Sequence, residues 1–92
     1  MPEPSLIECA HLEDVEDPPP LTDTCERCRE EGVTPVALRV CRTCGYVGCS
    51  DATPGRHARA HFHETGHPVI RPLDPSRTWT WCFVDEEYVA AD

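Results

Sequence analysis

Ninety-two residues suffice for one domain, and a core that small is too thin to stand without a disulfide or metal staple. Seventeen acidic against eight basic side chains give a formal charge of −9 and a pI near 4.8, the wrong sign for a phosphate backbone, so a nucleic-acid partner is excluded as an expectation. No stretch approaches the ~18 apolar residues of a membrane span, and seven cysteines cannot all pair, which favours metal over disulfides.

In chain order, Met1 to Glu8 lacks the positive start and apolar run of a secretory leader, so a reducing, cytoplasmic setting is expected for the thiols. Residues 13–23 are acidic and broken by three consecutive prolines, which bars a helix interior or a central strand. They read as an extended, solvated loop. Thr34 to Val40 gathers β-branched and apolar side chains directly before Cys41-x-x-Cys44, as a strand leading into a metal knuckle, with Tyr46 and Val47 as the return strand. From Pro54 to Glu64 the chain is Ala-rich, carries Pro near its first turn and stops before Gly66, which predicts one helix of about ten residues. Val69-Ile70 reads as a short strand flanked by prolines, and Thr78 to Val84 alternates bulky and polar residues like a half-buried strand. The expected class is α+β: residues 1–92 as a single zinc-stapled domain with a short antiparallel or mixed sheet and one main helix.

The candidate ligands are Cys9-x-His11, Cys25-x-x-Cys28, Cys41-x-x-Cys44, Cys49, His57-x3-His61, His67 and Cys82-x-x-Asp85. Two residues between cysteines let a tight turn aim both sulfurs at one ion, and structural Zn2+ takes four such ligands. The twelve groups therefore make three closed sites. One Cys-x-x-Cys is shared with redox pairs, but two of them followed by a cysteine and three spaced histidines within 43 residues is a specific metal signal. On a helix His57 and His61 share a face and could clamp one ion together; spacing does not settle the pairing. His63 falls off that face and is expected at the surface. Loading three ions on seven thiolates leaves the protein acidic.

Taken together, Cys25-x2-Cys28, Cys41-x2-Cys44-x4-Cys49, His57-x3-His61-x5-His67-Pro68 and Trp81-Cys82 resemble the UBP-type zinc finger, the module of ubiquitin-specific proteases and of a ubiquitin-binding histone deacetylase. The chain reads as a stand-alone prokaryotic member. The resemblance implies interleaved sites, with Cys25, Cys28, Cys49 and His57 around one ion and Cys41, Cys44, His61 and His67 around another. It also implies a third set, Cys9, His11, Cys82 and Asp85, where aspartate stands for the family's last cysteine.

The same resemblance implies a pocket for the free C-terminal Gly-Gly tail of ubiquitin or a ubiquitin-like protein, walled here by Trp81, Phe83 and Tyr88. These aromatics also fit as the scarce core rings of a small domain. Two positions depart from the family pattern: its tryptophan before the Cys41 knuckle is Arg39, and its tail-contacting arginine after Cys49 is Asp51. A carboxylate beside a poorly solvated terminal carboxylate repels it, leaving the anion contact to Arg39, Arg42 or Arg56. Catalytic zinc keeps a position open for water, whereas these sites look filled, so a monomeric binding module rather than an enzyme is expected. The alternative is a structural adaptor that docks through its acidic face without recognising a tail.

Overall fold

In the computed structural model residues 15–89 are described, and they form two helices and five strands. The order is α1 (Glu26–Glu31), β1 (Leu38–Cys41), β2 (Val47–Cys49), α2 (His57–Thr65), β3 (Val69–Pro72), β4 (Trp81–Cys82) and β5 (Glu87–Tyr88). The strands make one antiparallel sheet in the order β2-β1-β3-β4-β5. An α+β domain was expected; a second helix was not.

That extra helix, α1, is six residues long, too short to persist by propensity alone. Its ends explain it. The Cys25 sulfur at the N-cap accepts from the Cys28 amide, and Gly32 takes the left-handed conformation (φ 72°) that closes the C-terminus on the Arg29 and Cys28 carbonyls. Cys25 and Cys28 are fully buried, so the helix is anchored by the residues that define its sequence signal.

The strand expected over 34–40 runs instead from Leu38 to Cys41, and the one expected over 78–84 is only Trp81–Cys82, because the chain turns at once into a tight loop. Residues 15–24 contain no helix or strand, as their prolines dictate, yet they are not a free connector. The amides of Glu16 and Asp17 donate to the Arg42 carbonyl, and the Leu21 amide donates to that of Gly45. The Asp17 carboxylate grips the buried Arg42 guanidinium, which also donates to the Thr80 hydroxyl; that arginine holds the Asp17 carboxyl below the usual carboxylate range. Arg42 is thus occupied in pinning the acidic loop to the sheet and is not available to a ligand.

The core is thin: Val40, Val47, Val69, Ile70, Phe83 and Val89 supply most of its apolar bulk, beside the buried cysteines. α2 packs on β2 at unusually close range. A Cβ at Gly48 would lie 2.6 Å from the Ala58 amide nitrogen and 2.8 Å from its Cα, so glycine is what lets the helix backbone settle onto the strand. Gly48→Ala should cost about 1–3 kcal/mol through overpacking, read by calorimetry in excess zinc as a Tm lowered by at least ~4 °C.

Candidate functional site

α2 carries the centre of the site. Cys25, Cys28, Cys49 and His57 converge, as do Cys41, Cys44, His61 and His67; within each group the ligand atoms lie within 4.8 Å of one another. In the first group the sulfurs of Cys25, Cys28 and Cys49 are each 3.3 Å from His57 Nδ1. In the second, Cys44 Sγ is 3.3 Å from His61 Nε2 and Cys41 Sγ is 3.7 Å from His67 Nδ1. A tetrahedron with Zn–S near 2.3 Å and Zn–N near 2.0–2.1 Å has S···N edges of about 3.6 Å, so both groups fit one zinc ion.

Charge chemistry points the same way. Burial, reinforced by Cys49 and Cys25, pushes the Cys28 thiol up to about 12, and burial also raises Cys41. Such a nest of sulfurs needs a cation before it holds thiolates. Burial, with His67 adding to it, lowers His61 and so favours the neutral ring that a metal requires.

Local structure aims these side chains. Cys25 and Cys28 bracket the first turn of α1, Cys49 ends β2, and His57 opens α2 with its own amide donating to Cys49 Sγ at 3.1 Å. A thiolate there also satisfies the positive end of the helix. Cys41 ends β1, Cys44 closes the knuckle, and His67 follows Gly66, whose left-handed φ of 78° stops α2. His57 and His61, four residues apart on one helix, enter different groups. His63 is exposed.

Two partners of the ligands were not foreseen. Glu31, the last residue of α1, lies 3.1 Å from His57 Nε2, the ring nitrogen opposite the one facing the sulfurs. A carboxylate there fixes the tautomer that leaves Nδ1 free to ligate. The Tyr46 ring stacks on His61, centroids 4.3 Å apart and nearly parallel. A glutamate six residues after Cys25 is not a motif, so no sequence signal marked it.

Of the third predicted set, Cys9 and His11 lie outside the described residues. Cys82 is buried at the end of β4 and Asp85 is half-buried three residues later. Their loop repeats the metal knuckle: the Glu86 amide donates to the Cys82 carbonyl at 2.8 Å, as Gly45 does to Cys41 at 2.8 Å. Glu86 and Gly45 are both left-handed, φ 52° and 85°, and the Asp85 amide donates to Cys82 Sγ at 3.5 Å as Cys28 does to Cys25. A left-handed glutamate costs on the order of 1 kcal/mol, so the knuckle shape is held against a local preference.

Beside the first group a pocket of about 200 Å³ opens, lined by Trp81, Phe83, Tyr88, Arg39 and Asp51, the five residues singled out from the sequence, together with Trp79, Arg59 and smaller side chains. Trp79 and Trp81 each meet Tyr88 edge-on, at 5.4 and 5.0 Å, while Phe83 is buried against Phe62. Arg39 lies over Trp79 at 4.7 Å, a cation–π contact. Arg56 caps α2 and does not line the pocket. Arg59 does, and it grips Asp51 through Nε and Nη2. The repulsion expected of Asp51 toward an anion is therefore offset by a guanidinium that the sequence reading overlooked.

The pattern of the family described as Zn-finger in ubiquitin-hydrolases and other proteins matches residues 25–92. The chain is 32% identical to the NAD-dependent deacetylase sir2A of Dictyostelium discoideum over 92 residues, which is 90% of this chain and 17% of that protein. The chain thus spans about a sixth of that relative. It also superimposes on the solution NMR structure of protein RPA1320 from Rhodopseudomonas palustris with a TM-score of 0.83 and 45% identity, covering 92% of this chain and 83% of that one.

Glu31→Ala should leave the fold in place in excess zinc but weaken the metal held by the Cys25, Cys28, Cys49 and His57 group about 10-fold or more, measured by competition with a chromophoric chelator.

Proposed function

The chain belongs to the family of zinc fingers found in ubiquitin hydrolases and other proteins, and from that premise we propose that it is a protein-binding module whose pocket takes the free C-terminal tail of a ubiquitin-like protein. The observation that carries this reading is the convergence of Trp81, Phe83, Tyr88, Arg39 and Asp51, distant in sequence, on one small aromatic pocket. Two guanidiniums against one carboxylate make its lining net positive in a chain of formal charge −9, which suits an anionic chain end. Rigid rings give an extended tail contact area at little entropic cost.

Zinc acts here as a staple. Cys25, Cys28, Cys49 and His57 would hold one ion and Cys41, Cys44, His61 and His67 a second, each set supplying four ligands and leaving no position for a reacting water. This supports binding rather than catalysis. The knuckle-like turn at Cys82 and Asp85 supports a third ion completed by Cys9 and His11. The thiol-rich composition suits a reducing, cytoplasmic setting. No helix among the described residues is long and apolar enough to cross a membrane.

Both of the chain's tryptophans line the pocket, so their fluorescence reads its occupancy. Titration with a hexapeptide ending in Gly-Gly should shift the emission when the terminal carboxylate is free and at least ~10-fold more weakly when it is amidated, a charged hydrogen bond being worth about 1.5–3 kcal/mol. Equal response to both, or none, removes tail recognition and favours docking through the acidic face. Native mass spectrometry should count three zinc ions on the wild type and two on Asp85→Ala; two on both would assign Asp85 to the acidic surface.

A further inference from the structure

The inverted charges at the pocket carry a specific assignment. Asp51 receives hydrogen bonds from Arg59 Nε at 3.0–3.1 Å and from Nη2 at 2.5 Å, so it occupies one edge of the planar guanidinium. A guanidinium has a second edge, formed by Nη1 and the remaining Nη2 hydrogen, that matches a carboxylate equally well. Nη1 makes no hydrogen bond among the described residues. The group is further held over the Phe83 ring, 5.1 Å from its centroid. Arg59 is therefore oriented from two sides while it lines the same pocket as Ala58, Ser50 and Ile70.

Size sets the class of occupant. The cavity's ~200 Å³ is below the roughly 300–1,000 Å³ of sites that enclose whole small molecules. It suits the last residues of a polypeptide with small side chains. Resting on the tail-binding reading above, we propose that Arg59 anchors the terminal carboxylate of the tail through its Nη1/Nη2 edge, with Asp51 as the residue that positions it. The anion-binding guanidinium thus comes from α2 rather than from the loop after β2, and Asp51 serves the site by fixing that guanidinium. Arg39, stacked on Trp79, supplies wall and charge in place of an indole.

The test measures tryptophan-fluorescence affinities for hexapeptides ending in Gly-Gly and Ala-Ala, each as free acid and as amide, on the zinc-loaded wild type, Arg59→Gln, Arg59→Lys and Asp51→Asn. Zinc content and unfolding midpoint of each variant establish that it is folded. Arg59→Gln should weaken the free acids ~10- to 100-fold while leaving the amides unchanged, so that the acid-to-amide ratio collapses toward one. Arg59→Lys, which keeps the charge but loses the planar edge, should fall between. Asp51→Asn should weaken the acids several-fold yet retain their preference over the amides. A wild-type acid-to-amide ratio preserved in both Arg59 variants overturns the clamp and leaves tail recognition standing. A wild type that binds acid and amide alike, or neither, overturns tail recognition itself.

Discussion

Two sets of sulfur and imidazole groups able to hold zinc, each drawing one member from the same helix, link the separate elements of the molecule. His57 ties α2 to α1 and to the end of β2; His61 ties the same helix to the Cys41 knuckle and to the residue that leads into β3. Because successive turns of α2 serve different groups, neither set can form without placing the helix for the other. Among the described residues the core is a handful of valines with Ile70 and Phe83, and zinc held in these two groups would supply what so small an apolar core cannot.

The same helix joins the staples to the pocket. Ala58 and Arg59, which line it, lie between the two ligand histidines, so the register that brings His57 and His61 to their sulfurs also sets where Arg59 reaches. Gly48 allows the close approach of helix and strand on which this depends. The pocket's other walls come from the sheet and its loops, with Trp79, Trp81 and Tyr88 braced edge-to-face alongside Arg39 and Asp51. The pocket and the two zinc-competent groups are thus built on one helix, and the position of α2 couples them.

Much of this was legible from residue spacing. Cys-x-x-Cys pairs, the later cysteine and the three histidines announce metal because few other chemistries need those side chains at those intervals, and Gly66 marks the end of α2 because its left-handed backbone is costly for other residues. α1 was missed because its stabilisation lies in Cys25 and Gly32 rather than in any apolar period. The prolines of the acidic loop announce its irregular backbone, but its attachment to Arg42 joins residues 25 positions apart and has no sequence signal. Asp51 was read as an obstacle for the same reason: Arg59, eight residues on, bears no motif that pairs it with Asp51.

Residue types and intervals alone specify the metal-competent side chains, the α+β class and the aromatic residues that end up in the pocket, because covalent spacing and side-chain chemistry are local properties. The partners come from the folded chain: which histidine nitrogen faces which sulfurs, Glu31 behind His57, Tyr46 against His61 and Arg59 against Asp51. Those contacts depend on how closely α2 settles on the sheet, and that distance is set by packing across the fold, which no one-dimensional pattern encodes.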